Sequence, residues 1–285
     1  MTVKFLRGDC RDVLRTLLDE SVHCAVTSPP YFGQRDYGMP EQVGLEATPT
    51  AFIAEMVLIF EEVRRVLRPE GTLWLNIGDS YNNRTRVRAS SHKPGDANGH
   101  GLSDKKSWAE SARDGEVRMA IVRHGLKEKD LFGIPWQIAF ALRNAGWYLR
   151  QEIIWNKPVA KLDVASDRPA TRHEQIFLFS KSKVYHFDQH AITDGFQGSV
   201  WTVSATGHAE HGAAFPPALI EPCILAGCPV GGTVLDPFGG TGTTGIVANR
   251  LGRNTILIEL NPDYVAVAER RIHGEDSLRI DVSAA

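Results

Sequence analysis

One stretch of this chain leaves few choices of fold. Thr233-Val234-Leu235 is a short apolar strand that runs into Asp236-Pro237-Phe238-Gly239-Gly240-Thr241-Gly242-Thr243-Thr244-Gly245, where four glycines in seven residues demand a tight turn. A helix is expected from there to Leu251, and Thr255-Ile256-Leu257-Ile258-Glu259 then reads as a second strand, ending in a carboxylate. A strand, glycine turn, helix and strand of these lengths form a right-handed crossover on a parallel sheet.

Such a unit is a nucleotide-type cofactor site. Glycines let the backbone approach a ligand closely, and the helix N-terminus offers free N–H groups. The later carboxylate can accept hydrogen bonds from two ribose hydroxyls, and Glu259 lies 23 residues after Asp236, which suits that role. The turn alone could serve a dinucleotide, a phosphate or S-adenosylmethionine. No lysine follows the glycines, so a phosphate loop is excluded. A carboxylate at the strand tip, Asp236, repels pyrophosphate but attracts the ammonium of a methionine moiety.

The remainder alternates in the same way. Val3 to Leu6 is a strand, Asp12 to Leu18 a helix with Val13, Leu14, Leu17 and Leu18 on one face, and Val22 to Val26 a buried parallel strand. Pro49 to Leu67 is helical, Arg68-Pro69-Glu70-Gly71 is a turn, and Thr72 to Ile77 is a strand. Later come a helix at Pro135 to Asn144, strands at Trp147 to Trp155 and Gln175 to Phe179, and a helix at Pro217 to Ala226. Between Tyr81 and Asp130 the pattern breaks into Asn, Ser, Gly, Arg and Lys. That is too long for an ordinary loop, so it is an insertion.

The second strand ends in Thr27-Ser28-Pro29-Pro30-Tyr31. Two prolines fix this backbone and remove two N–H donors, leaving carbonyls, one hydroxyl and an aromatic face. That set suits an amino group held flat against a ring. The exocyclic nitrogen of cytosine or adenine is a poor nucleophile because its lone pair is delocalised. Two acceptors on its hydrogens would draw it toward tetrahedral geometry, while Tyr31 stacked on a base taken out of its helix.

Charge points to a polyanion met on one face. The net charge is −2, yet residues 82–130 carry 11 basic and 7 acidic side chains, and residues 131–183 carry 8 and 4, between acidic ends. Cys10, Cys24, Cys223 and Cys228 form no C-x-x-C pair and are expected to be reduced and mostly buried. His23, His173, His186 and His208 show no ligand spacing, so no metal is expected. No apolar run has the length of a membrane span and no secretory leader is evident, so a cytoplasmic protein with no membrane contact is expected.

In this order, Gly8-Asp9-Cys10, Thr27 to Tyr31, Ile153-Ile154-Trp155-Asn156-Lys157-Pro158, Asp167-Arg168-Pro169, His173-Glu174, Phe215-Pro216 and Asp236 to Thr244 resemble the amino-methyltransferases of bacterial and phage DNA. The likeness is to the permuted group in which Ser/Asp-Pro-Pro-Tyr precedes Phe-Gly-Gly. It implies an α/β, Rossmann-like methyltransferase fold: a mostly parallel twisted sheet with helices on both faces, circularly permuted, plus an irregular insertion. It also implies S-adenosylmethionine as cofactor and S-adenosylhomocysteine as product. Asp236, Phe238, Gly239, Gly240, Thr241 and Thr243 would surround the methionine and sulfonium part, Glu259 the ribose, and Asp9 with Cys10 the adenine edge. Ser28 and the carbonyl of Pro29 would hold the target amine, beside Pro30 and a stacking Tyr31.

The expected organisation is a catalytic half over 1–81, the basic insertion over 82–130, the rest of the catalytic half over 131–214, and a cofactor-binding half over 215–285. In the resembling group, target recognition usually lies ahead of Phe-Pro, but Phe187 to Ala214 is short here. The insertion is therefore the candidate, with Arg84, Arg86, Arg88, Lys105 and Lys106 as contacts to phosphates or bases, and Lys157 as a further phosphate contact. The substrate is expected to be double-stranded DNA. A second copy of the chain and a cognate restriction endonuclease are the candidate partners.

Ser28 favours cytosine N4 as the amine, with adenine N6 as the alternative. A cytosine-C5 enzyme would need a cysteine nucleophile, and Pro222-Cys223 supplies one only within a helical apolar run, so Cys223 is read as core. An NAD-dependent enzyme leaves Ser28 to Tyr31 unexplained, and a non-catalytic DNA-binding module leaves both half-sites unexplained.

Overall fold

The computed structural model describes residues 1–40, 42–82, 126–158, 166–192, 195–205 and 215–274, together with the backbone of 88–89 and 279–284. The strands are β1 (Thr2–Arg7), β2 (Val22–Thr27), β3 (Arg35–Asp36), β4 (Leu67–Ile77), β5 (Arg88–Ala89), β6 (Tyr148–Asn156), β7 (His173–Ser180), β8 (Val200–Thr202), β9 (Thr233–Asp236), β10 (Asn254–Glu259) and β11 (Arg279–Ala284). The α-helices are α1 (Cys10–Thr16), α2 (Pro49–Val66), α3 (Ile134–Asn144), α4 (Pro217–Gly227), α5 (Thr243–Arg250) and α6 (Pro262–His273).

Nine strands form one sheet in the order β11-β1-β10-β9-β2-β4-β7-β6-β8, and β7 alone runs against its neighbours. The central strands are apolar on both sides, as a sheet covered on both faces requires. On β4, Leu73, Leu75 and Ile77 face one cluster and Trp74 the other. Helices α1, α2 and α3 pack on the first face. Helices α4, α5 and α6 cover the second. Most of α2's anchorage comes from Phe52, Met56, Ile59, Phe60, Val63 and Val66, all at most 1% exposed. Each is worth about 1.5–3 kcal/mol relative to exposure.

Polar residues set the starts of α1 and α2. Asp9 caps α1 by accepting from Arg11 N at 2.9 Å, and Thr48 caps α2 by accepting from Ala51 N at 3.1 Å. The Asp9 cap starts α1 at Cys10, earlier than its apolar spacing suggests, and the helix is over before Leu18, which is 78% exposed. Residues 68–71 are not a turn but extended chain: β4 begins at Leu67, directly after α2. The pairs Val22↔Leu67 and Cys24↔Thr72 show that this stretch bulges out of the ladder. Strands β8 and β11 and helix α6 have no counterpart in the sequence reading.

The described residues on either side of 83–125 are paired with each other. Tyr81 bridges Leu131, Asn82 N donates to Asp130 O at 2.8 Å, and Lys129 N donates to Asn82 O at 2.9 Å. Among the described residues no helix is long and apolar enough to cross a membrane.

Candidate active site

Helix α5 follows β9 onto one face of the sheet, and α2 follows β2 onto the other. The gap between β9 and β2 is thus the point where the winding reverses, and beyond the C-terminal strand ends at such a point a ligand crevice opens. A cleft open to solvent lies there. At its floor the two strands are tied together: the fully buried Thr27 donates from Oγ1 to Asp236 Oδ1 at 2.6 Å. Asp236 Oδ2 accepts from Thr244 Oγ1 at 2.7 Å, and Phe238 N donates to Oδ1 at 3.1 Å. Burial nevertheless pushes the Asp236 carboxyl up to about 6, the three hydrogen bonds pulling the other way.

The glycine turn is built for close approach. A side chain at Gly239 would meet Leu257 Cβ at 2.9 Å, and Gly242 takes φ +81 as it opens α5. Arg271 of α6 clamps the turn from outside, donating to Thr241 O at 2.6 Å and Thr241 Oγ1 at 2.8 Å. Opposite, Glu259 accepts from Gly240 N at 2.8 Å and Asn261 N at 2.7 Å. Burial pushes its carboxyl up to about 7 against those two donors. The register Arg7↔Glu259 brings Gly8, Asp9 and Cys10 beside it. Asp9 is held by a two-pronged ion pair with Arg11, whose Nη1 also reaches Glu55 Oε1 at 2.9 Å.

Asp9, Cys10, Asp236, Phe238, Gly239, Gly240, Thr241, Thr243 and Glu259 all line this one cleft, as do Ser28 and Pro30. Pro29 is buried behind the wall, and Tyr31 stands beside the cleft rather than in its lining. The ring of Tyr31 rests on Gly78, where an added Cβ would lie 2.6 Å from Cε2. Its hydroxyl donates to Glu174 Oε2 at 2.7 Å.

Lys157, expected to meet phosphate, is instead turned inward. It pairs with Glu174 and lies 4.0 Å over the Trp155 ring, with 17% of its side chain exposed. Arg84, Arg86, Lys105 and Lys106 lie outside the described residues, and of Arg88 only the backbone is described, pairing with Arg35. Cys223 is 1% exposed inside α4, its thiol donating to Leu219 O, and it does not line the cleft.

Sequence reasoning gives no role to Tyr37, Met39, Gln42 and Val43, which roof the cleft, or to Tyr264, which meets Tyr37 edge-on at 6.1 Å. The roof is braced by Gln42, which accepts from Tyr37 N at 2.7 Å and donates to Arg35 O at 3.1 Å. Glu174 enters the sequence reading only as a mark of resemblance.

A family model described as DNA methylase matches residues 22–270 of the chain. The chain is 46% identical to the Type II methyltransferase M.Cfr9I of Citrobacter freundii, over 98% of this chain and 90% of that protein. It is 47% identical to the Type II methyltransferase M.XycI of Xanthomonas campestris pv. cyanopsidis, with the same coverage. Among solved structures, TTHA0409 of Thermus thermophilus in complex with S-adenosyl-L-methionine matches with a TM-score of 0.66 and 26% identity, over 98% of this chain and 99% of that one. The PvuII DNA methyltransferase, a cytosine-N4-specific enzyme, shares the fold with a TM-score of 0.70 at 19% identity, over 95% of this chain and 86% of that one.

Proposed function

The chain belongs to the DNA methylase family, and on that premise we propose that it is a Type II, site-specific enzyme that uses S-adenosyl-L-methionine to methylate the exocyclic N4 amine of cytosine in double-stranded DNA. Adenine N6 is the alternative acceptor. The observation that carries this reading is the bond from Thr27 to Asp236, which seats the Ser-Pro-Pro turn and the glycine turn on the walls of one cleft.

The cleft fits the cofactor on its own chemistry. Glu259 keeps lone pairs beyond its two backbone donors for a pair of ribose hydroxyls, and Asp9 with Cys10 lies next to it for an adenine edge. Asp236 supplies the negative end toward an ammonium, and Gly239, Gly240, Thr241 and Thr243 allow the backbone to come close. When bound, S-adenosyl-L-methionine supplies a methyl group made electrophilic by its sulfonium. Ser28 Oγ and the Pro29 carbonyl accept the two amine hydrogens of a flipped-out base, drawing the nitrogen lone pair out of conjugation. Tyr31, backed by Gly78, offers a ring for the base to stack on.

Support for cytosine comes from Ser28, a short neutral acceptor where the adenine enzymes of the resembling group more often carry Asp. Nucleoside mass spectrometry of DNA from cells expressing the protein tests the reading. N4-methylcytosine is expected. N6-methyladenine would select the alternative, and neither product, with cofactor binding intact, would refute a DNA amine as substrate.

A further inference from the structure

The methionine end of the cleft presents a problem of charge. An amino acid carries an ammonium and a carboxylate, and Asp236 answers only the first. Among the described residues the lining holds Asp9, Asp236 and Glu259 but no lysine, arginine or histidine. A carboxylate entering this acidic cleft has to be met by neutral donors. The glycine turn carries Thr241, Thr243 and Thr244, each at most 4% exposed and each lining the cleft. Thr244 gives its proton to Asp236 Oδ2 at 2.7 Å. The other two are held from behind by Arg271 of α6, whose Nη1 donates to Thr241 Oγ1 at 2.8 Å, to Thr243 Oγ1 at 3.3 Å and to Thr241 O at 2.6 Å. Helix packing brings the arginine there. Ala268 and Ile272, on the same face of α6, close on Gly242, where an added Cβ would lie 3.1 Å and 3.2 Å from them.

Hydroxyl directions follow from what each partner can do. A guanidinium has donors and no acceptor, so both threonine oxygens accept from Arg271 and cannot donate to it. Each hydroxyl keeps its single proton, and no described residue accepts either one. The open side of both side chains is the cleft. No side chain caps α5 at Gly242, so the N–H groups of its first turn add to the same positive end. We infer that Arg271 is a positioning residue for the cofactor's carboxylate: it makes the Thr241 and Thr243 hydroxyls fixed donors toward the cleft and sets a positive charge one layer behind them. A cation in the lining itself would pair with Asp236 and take the ammonium's partner. Set behind the threonines, the charge reaches the carboxylate through their hydroxyls and leaves Asp236 alone. The inference rests on S-adenosyl-L-methionine as cofactor and deepens that reading, and it holds whichever DNA base is methylated.

The test measures equilibrium binding to the full chain by calorimetry, with no methyl transfer involved. The probes are S-adenosylhomocysteine and its decarboxylated form, which keeps the adenosine, the sulfur and the ammonium. The wild type should prefer the first by about tenfold or more. Arg271→Met should weaken S-adenosylhomocysteine about tenfold and leave the decarboxylated form within about twofold, so the preference collapses. The Thr241→Val/Thr243→Val pair should do the same, and adding Arg271→Met to it should cost S-adenosylhomocysteine no more than about twofold further. Arg271→Lys, which keeps a charge and a donor, should recover part of the loss. Equal weakening of both ligands by Arg271→Met would show that the arginine only shapes the turn. That result, fully additive losses or an unchanged preference would overturn the inference, while wild-type binding of S-adenosylhomocysteine leaves the cofactor reading standing. A wild type that binds neither ligand would overturn both. If Arg271→Met does not fold, Arg271→Lys carries the comparison: it should narrow the preference in the wild-type background and not in the valine one.

Discussion

Acidification should loosen the protein's hold on its cofactor, with Glu259 as the main cause. Its carboxyl is pushed up to about 7 because the cleft wall buries it, and only the ionised form offers acceptors on both oxygens to a pair of ribose hydroxyls. At about pH 7.5 most molecules hold that carboxylate ready, whereas at about pH 6 roughly nine in ten have it protonated. Affinity should therefore fall about tenfold over that interval, with a smaller share from Asp236, whose carboxyl is pushed up to about 6. Calorimetric titration with S-adenosylhomocysteine across the range measures this directly. Glu259→Gln should bind more weakly throughout and lose most of the slope. An affinity that is flat in the wild type, or equally steep in Glu259→Gln, would refute the reasoning. Stability follows the same linkage with a definite sign. Both acids have folded-state values above their unfolded ones, so their contribution is fully present below the unfolded values and is lost as the pH rises through about 6 and about 7. The cofactor-free protein should lose melting temperature on their account between about pH 4 and about pH 7, and Glu259→Gln should reduce that loss.

Gly78→Ala should slow methyl transfer on the order of a hundredfold with cofactor affinity unchanged. The new Cβ would lie 2.6 Å from Tyr31 Cε2 and must push the ring aside; a normal single-turnover rate would show that Tyr31's placement is immaterial. Cys223→Ala should stay active and lose only a little melting temperature, since its thiol is buried inside α4; an inactive but folded variant would reopen a cysteine-nucleophile mechanism. Replacing residues 83–125 by a short glycine link between Asn82 and Leu126, which Asn82 Nδ2 already bridges at 3.0 Å, should spare cofactor binding and abolish the choice of DNA site. Retained methylation at the same site would place recognition elsewhere.

The half of the candidate site that lies in consecutive residues is legible in the sequence. The glycine turn and the Ser-Pro-Pro-Tyr turn each follow an apolar strand, and Glu259 ends the next one, so strand-end logic alone locates all three. What could not be read was anything made by side chains converging from distant segments. Tyr37, Met39, Gln42 and Val43 come from a stretch with no helical or strand period, shaped instead by the internal braces of Gln42. Lys157 reads as a solvated cation in the sequence because only the register Trp155↔Glu174 reveals the partner that turns it inward. Apolar spacing starts helix α1 too late because it marks the buried face and is blind to a cap such as Asp9. The bulge at residues 68–71 misleads for a related reason: Pro and Gly there mark departure from the ladder, not a reversal of the chain.

The place of β1 in the sheet has a consequence in time. Its neighbours are β10 and β11, and Thr2 N donates to Asn254 Oδ1, 252 residues away. During synthesis β1 emerges about 250 residues ahead of its partners and must wait for them on the order of tens of seconds at ordinary elongation rates. Until then its hydrogen-bonding edges are bare and the wall between Asp9 and Glu259 does not exist. A partly made chain can present Ser28 and Tyr31 but cannot hold a methyl donor against them. The wiring of the sheet thus delays the wall between Asp9 and Glu259 until β10 is made, and until then it leaves strand edges of the growing chain bare.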